Sequence, residues 1–469
     1  MDDAFKPLSS AAVEALRARG QGALSLPGEP DYDARRTLWN AMIDRRPAAI
    51  LRCDGPDDVA AGLAVAAAEG LPVSVKSGGH NIAGAALAEG GLVLDQSAQR
   101  DVRVDPAARR AVVAPGALLA DLDAAAAAHG LAVPLGINST TGVAGLTLGG
   151  GYGWLTRRFG LTVDSLLGAD VVTPAGERLR AAPDENADLF WALRGGGGNF
   201  GVVTRFEFAL HPLAHDVTAG LILHPGAHAA QVLQALRDVA DDLPDDLTVW
   251  AVLRKAPPLP FLDAAHHGVP VIVLACCWCG APEDADEALS PVRAIGTPLA
   301  EAIGPQPYAA WQTAFDPLTG HGARNYWKSH MFDQMEDGLI DLLVEALDRL
   351  PGDECEIFVA QLGGAPARSD PSATTYRHRE AAFMMNIHAR WRETADDTRC
   401  IAWAREFFDR TEPYATGGVY SNFMPEDETD RARSAYGDAY DRLAAIRARH
   451  DPDRIMRAPA EVATVPAAR

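Results

Sequence analysis

The sequence predicts an α+β fold in at least two domains, and three features carry that reading. Up to about residue 211, short strand-like runs alternate with Ala-rich helical runs. Beyond His211 the strands and helices lengthen, which places a break near residue 212. Three glycine clusters, Gly78-Gly79, residues 142–153 and residues 194–201, punctuate the first part only.

Residues 48–53 (AAILRC) read as a strand. Residues 54–70 (DGPDDVAAGLAVAAAEG) open on Asp, Gly and Pro and close on Gly70, the start and stop signals of a helix. Residues 72–79 (PVSVKSGG) alternate and then turn. Residues 90–95 (GGLVLD), 100–105 (RDVRVD) and 109–116 (RRAVVAPG) read as three further strands. Residues 117–130 form a helix closed by Gly130. Residues 166–181 read as a hairpin about Pro174-Ala175-Gly176, residues 185–196 as a helix and residues 200–210 as a strand. In the second part, residues 216–225, 247–256 and 269–279 are the long apolar runs, with an Ala/Leu helix at 229–240. Residues 427–450 read as one charged amphipathic helix.

With 469 residues, 48% hydrophobic and 22% charged, the chain can bury sizeable cores. The formal net charge of −21 speaks against a nucleic-acid or anionic-membrane partner, which clustered Lys and Arg would serve. The stretch MDDAFKPLSS has no apolar core of a secretory signal. The most apolar run, Val269 to Cys279, falls short of the roughly 20 residues that span a bilayer. A cytoplasmic location is therefore expected. Six cysteines in so long a chain make no disulfide framework. Cys277-Trp278-Cys279 has no second Cys/His pair at ligand spacing, so it reads as a buried strand and no metal is expected.

Glycine lets backbones and ligands approach closely, and successive free N–H groups cradle anions. The third cluster also fits G-x-G-x-x-G through Gly196, Gly198 and Gly201. Here a helix precedes the glycines and a strand follows, the reverse of the dinucleotide fingerprint. No G-x-x-x-x-G-K-[ST] occurs either. Three clusters separated by βα units favour one extended ligand carrying a polyphosphate.

Three long stretches carry a resemblance: PVSVKSGGHNIAG (72–84), TTGVAGLTLGGGYGWLTRRFGLTVDSLLGADVV (140–172) and NADLFWALRGGGGNFGVVTRFEF (186–208). They resemble the FAD-linked oxidases of the vanillyl-alcohol-oxidase superfamily, in the bacterial form of the berberine-bridge-enzyme-like branch. The resemblance implies a PCMH-type FAD-binding domain of two α+β subdomains, from residues 1–212 and the returning segment 424–469. It implies a substrate domain over 213–423, with an antiparallel sheet over the flavin ring and helices behind it.

In that family the histidine after Gly-Gly bonds to the 8α-methyl carbon of FAD, and His80 matches it. The attacking imidazole must be neutral, as a histidine near its ordinary pKa of about 6.5 largely is at pH 7. Relatives often carry a second tether, a cysteine in the glycine loop. Ala144 stands at the matching place, so a single covalent link is expected. By motif position, Ser77, Gly78, Gly79 and Asn81 wrap the pyrophosphate, with Gln96 and Ser97 beside it. Thr141, Gly142, Gly145, Gly149, Gly150 and Gly151 line the diphosphate-to-ring path, and Gly201 and Val202 the adenine.

On the substrate side the resemblance points to Lys328, to a strand with Glu356, Phe358 and Gln361 as candidates, and to Tyr420 and Asn422 of a Tyr-x-Asn pattern. Tyr420 is the expected base, with Lys328 or Glu356 adjusting its pKa, and Asn422 binds flavin or substrate. The expected reaction takes a hydride from a CH–OH or CH–NH group of a small secondary-metabolite or sugar-like substrate to flavin N5. Dioxygen then reoxidises the flavin, with the small Gly149 leaving room for it. A dehydrogenase using another acceptor and a non-catalytic flavin-binding protein are the alternatives. A monomer or homodimer is expected, with the substrate and dioxygen as partners.

Overall fold

The computed structural model describes residues 7–19, 24–458 and 460–462. Residues 1–6, part of the stretch read as lacking a signal, lie outside these, as do 459 and 463–469 of the C-terminal segment. The fold is α+β, built on three main sheets.

The first sheet has the order Leu24–Ser25, Ala49–Arg52, Leu92–Asp95, Val73–Lys76. Ala49–Arg52 and Val73–Lys76 both run parallel to Leu92–Asp95, so the chain must cross over between them. The helix Pro56–Glu69 makes the crossover and lays Val59, Leu63 and Ala66 on the sheet. Gly70, at φ +68°, ends it in the left-handed conformation that glycine adopts without cost. Val73 also pairs with the C-terminal segment. Its N–H donates to Ile455 O at 2.7 Å, and the Arg457 N–H donates to Val73 O at 2.8 Å.

The second sheet is antiparallel: Val102–Asp105, Arg110–Val113, Val202–Ala209, Leu166–Val172, Arg178–Ala181. The expected hairpin at 166–181 is present. The third sheet has seven antiparallel strands, in the order Ala300–Gln306, Val217–Pro225, Pro270–Trp278, Leu247–Lys255, Glu356–Gln361, Phe383–Trp391, Arg324–Phe332. Helices Ala229–Ala240, Ala285–Arg293, Asp337–Asp348 and Asp397–Thr411 cover one face. Alternation along Leu247–Lys255 sends Val249, Ala251 and Leu253 to those helices and Trp250, Val252 and Arg254 to the other face. Cys276 and Cys277 lie on the strand Pro270–Trp278. All six cysteines are buried and unpaired.

One expected element differs. The run 427–450 is not a single helix but four pieces: Glu426–Arg431, Ala432–Tyr436, Gly437–Ala439 and Tyr440–His450. Gly437 sits at φ +51°, a left-handed residue that a continuous α-helix cannot hold.

Helix Leu119–Ala127 packs on helix Tyr308–Gln312 around buried Asp123. Gln312 Nε2 donates to Asp123 Oδ2 at 3.1 Å and to Gly136 O at 2.9 Å. Burial pushes the Asp123 carboxyl up to about 7, and the Gln312 bond only partly offsets it. A raised folded-state pKa gives a contribution that is complete below the unfolded value of 3.8 and lost as pH rises through about 7. Asp123→Asn is therefore expected to remove a loss of stability on the order of a few kcal/mol between those values. Melting temperatures measured across that pH range should flatten in the variant.

Candidate active site

A cavity lies between the glycine loops of the first part and the face of the seven-stranded sheet opposite those four helices. Its floor exists because two glycines meet. A Cβ built on Gly78 would fall on the backbone nitrogen of Gly142, and one on Gly142 would lie 2.6 Å from Gly78 N. No side chain fits between these loops, so their backbones approach closely, as glycine-rich loops that cradle anions do. Ser77, Gly78, Gly79, His80 and Asn81 line the cavity from one loop. Thr141, Gly142, Ala144, Gly145 and Gly149 line it from the other, together with Tyr420, Asn422 and Glu356.

His80 stacks on Trp39, ring centroids 4.9 Å apart and 21° from parallel. His321 meets its edge at 5.7 Å. The His80 Nε2 lies 2.9 Å from Thr140 Oγ1. Burial, with His321 and Arg390 nearby, pushes the imidazole down to about 3, so the ring is neutral. None of the six cysteines lines the cavity.

Tyr420 is almost fully buried. Its phenol oxygen accepts the Gly151 N–H at 3.1 Å and Asn422 Nδ2 at 2.9 Å. Asn422 Nδ2 also donates to Leu146 O at 3.1 Å, which fixes the amide's orientation. Burial pushes the phenol up to about 12 against the pull of these two donors. Glu356 binds Arg254 Nη1 at 2.6 Å and faces His388 Nδ1 at 3.4 Å. Burial works to raise its carboxyl, but Arg254 and His388 outweigh it and hold the group at about 2.

Several expectations are corrected. Lys328 does not reach Tyr420: it lies on the opposite face of the strand Arg324–Phe332, bound to Glu428 Oε1 at 2.7 Å and over the Phe408 ring at 4.8 Å. Its neighbour Trp327 faces the cavity instead. Gln361 likewise points to the helices and donates to Ala240 O at 2.6 Å, whereas Phe358 lines the cavity as expected. Gly201 and Val202 do not line it either. They begin the strand beside Val172, and Gly197 and Gly198 of the same cluster face the cavity. Nor is there open room over Gly149, because a Cβ there would fall on the Asn422 amide.

Gly150 and Gly151 sit behind the lining at φ +123° and +78°, where they let Tyr376 and Thr162 close in. Gln96 and Ser97, expected beside the pyrophosphate, do not line the cavity: Gln96 is buried and donates to Val203 O at 3.1 Å, tying the first two sheets together. The Ser97 N–H donates to Asp95 Oδ1 at 3.0 Å. Trp39, Asn138, Tyr152, Arg254, Trp327 and His388 line the cavity without having been singled out in the sequence.

Lys328 and Glu428 are a buried pair, 8% and 3% exposed. Lys328→Met leaves Glu428 buried with Arg431, 3.2 Å from its Oε1, as its remaining ion-pair partner, so the loss should fall short of the about 3–5 kcal/mol of a buried carboxylate left with none. Denaturant unfolding should show that loss, while turnover by the folded fraction stays unchanged because Lys328 is outside the cavity.

Residues 47–182 match the FAD binding domain family model, and residues 419–462 match the Berberine and berberine like model. The chain carries an FAD-binding domain over residues 47–182 and is similar to FAD-linked oxidases. It is similar to (R)-6-hydroxynicotine oxidase of Paenarthrobacter nicotinovorans, with 29% identity over 93% of this chain and 95% of that one. It is 25% identical to a chitooligosaccharide oxidase of Gibberella zeae, over 97% of this chain and 95% of that one. The solved structure of a berberine-bridge-enzyme-like protein of Physcomitrella patens superposes with a TM-score of 0.86 at 21% identity. That superposition covers 96% of this chain and 98% of the other.

The chain is thus an FAD-linked oxidoreductase, and its cavity fits the cofactor. The Gly78–Gly142 floor suits a pyrophosphate. Tyr152, Trp154 and Trp327 line the same cavity, and the Tyr152 hydroxyl and the two indole N–H groups are buried with no protein partner. Such unpaired groups are costly unless a ligand or water meets them.

Proposed function

We propose that the protein takes a hydride from a CH–OH or CH–NH group of a small, largely apolar substrate, with FAD tethered at His80 alone. Tyr420 carries this reading: a phenol oxygen holding two hydrogen bonds at the base of an aromatic-walled cavity. Bound FAD supplies the hydride acceptor, at N5, and the route by which two electrons reach dioxygen, which leaves as hydrogen peroxide. Both acceptor positions of the Tyr420 oxygen are occupied, so its own proton is the one free to act toward the cavity. Tyr420 donates that hydrogen bond to the substrate oxygen or nitrogen and so orients the C–H bond. It accepts the substrate proton only as phenolate, so a rate that climbs with pH toward the phenol's value of about 12 is the sign of base catalysis.

The walls bear on the substrate. Leu221, Val252, Leu259, Phe315, Leu318 and Phe358 offer no hydrogen bonds. Arg254, Glu356 and His388 are committed largely to one another. Each sugar hydroxyl buried here without a partner would cost about 1–3 kcal/mol. The lining therefore favours a ring-bearing apolar amine or alcohol over an oligosaccharide. Two relatives are named as oxidases, one of hydroxynicotine and one of chitooligosaccharide, and both names agree with dioxygen as acceptor.

Anaerobic mixing with cyclic amines, aryl alcohols and oligosaccharides tests this reading. Bleaching of the flavin band by an amine or alcohol is the expected result. Bleaching by oligosaccharides alone contradicts the substrate class. Reoxidation in air no faster than that of free flavin contradicts dioxygen as the acceptor.

A further inference from the structure

We infer that Thr140 and Asn138 fix the ring tautomer of His80 and so choose the nitrogen that bonds to the flavin. This inference rests on the tether proposed above. It comes from the direction of a hydrogen-bond chain whose polarity is set at two backbone groups.

At the far end, Thr319 Oγ1 donates to Phe315 O at 3.1 Å. A carbonyl can only accept, so the single hydroxyl proton of Thr319 is spent there. Asn138 Nδ2 donates to Thr319 Oγ1 at 2.7 Å. Its carbonyl Oδ1 therefore faces the other way, where it accepts the Thr140 backbone N–H at 3.1 Å. An N–H can only donate, so the two anchors agree on how the Asn138 amide is turned.

Asn138 Oδ1 also lies 2.7 Å from Thr140 Oγ1. Two oxygens that close need a proton between them, and only Thr140 has one to give. Thr140 Oγ1 must then accept from His80 Nε2 at 2.9 Å. The neutral imidazole therefore carries its proton on Nε2 and its lone pair on Nδ1. Trp39 lies against the ring face and holds its plane, while its own indole N–H donates to Thr319 O at 2.6 Å.

The lone pair of Nδ1 makes the new N–C bond to the 8α-carbon of the flavin, and one C–H bond of that carbon breaks. That carbon and Nε2 each release one proton. The electron pair of the C–H bond passes through the ring system to dioxygen, the two-electron oxidant, which leaves with both protons as hydrogen peroxide. Nε2 is then an acceptor, and the Thr140 hydroxyl can turn to it. Asn138 Oδ1 keeps the Thr140 N–H, so no buried group is stranded. Thr140 and Asn138 are positioning residues, acting only through His80.

The test begins with a denaturing gel and continues with the flavin peptide cut from the holoenzyme. The pH dependence of the peptide's fluorescence, together with its NMR spectrum, identifies the linked nitrogen. The wild-type peptide is expected to be linked through Nδ1 alone. Thr140→Val should slow attachment about three- to tenfold when FAD is added to the full-length apoprotein, the worth of one hydrogen bond. It should also yield some Nε2-linked peptide, and Thr140→Ser should restore the wild-type result. An Nε2 link in the wild type overturns the inference whether or not the valine variant folds. So does a valine variant with the wild-type rate and Nδ1 linkage alone. A wild-type gel band with no flavin fluorescence removes the tether and this inference together, and it is seen before any peptide is cut.

Discussion

Replacing Tyr420 with phenylalanine is expected to lower kcat/KM by about 100- to 10,000-fold, the range for a lost proton-transfer group. The phenol touches the cavity, and in the described residues no second hydroxyl, amine or carboxylate shares its two hydrogen bonds. The ring stays: it packs edge-on to Tyr152 at 5.3 Å and to Phe423 at 4.9 Å, contacts that phenylalanine keeps. The Gly151 N–H loses its acceptor, a buried cost of about 1–3 kcal/mol. Stopped-flow reduction of the flavin by saturating substrate isolates the effect from reoxidation. An unchanged reduction rate would assign the chemistry to another residue.

Gly78→Ala is expected to produce protein without flavin. The added methyl would meet backbone atoms of Gly142 and Thr141, which cannot swing aside as a side chain can. The loops must part, at a cost of about 1–3 kcal/mol or more, and the pyrophosphate floor is lost with them. The ratio of flavin to protein absorbance reads the loss directly. Gly55→Ala is the control, because that glycine is extended at φ −179° with open space around it. It should keep its flavin and melt near the wild type.

The glycine loops and His80 were legible in the sequence because each is a local signal: a strand, a run of glycines and a histidine within one turn of chain. The long apolar strands of the second part were legible for the same reason. Which face of each strand meets the cavity was not. Lys328 and Trp327 are neighbours, and a one-residue change of face exchanges them. Glu356 and Phe358 line the cavity, although Glu356 pairs with Arg254 and His388 and not with Tyr420, whereas Gln361 has the opposite parity and belongs to the helix side. Arg254 and His388 lie on strands flanking that of Glu356, and nothing in the spacing of those three residues announces that they meet. The break at Gly437 had a signal, the glycine itself, which the charge pattern of the surrounding run outweighed.

Central to the proposed chemistry is a flavin held in this cavity and bonded to His80. Acid-precipitated wild-type protein and the His80→Ala variant, run side by side on a denaturing gel under ultraviolet light, test it most directly. The wild type should give a fluorescent band at full length. His80→Ala should give a dark band while the native protein still binds FAD through the Gly78–Gly142 floor. A dark wild-type band, or a fluorescent His80→Ala band, would contradict it.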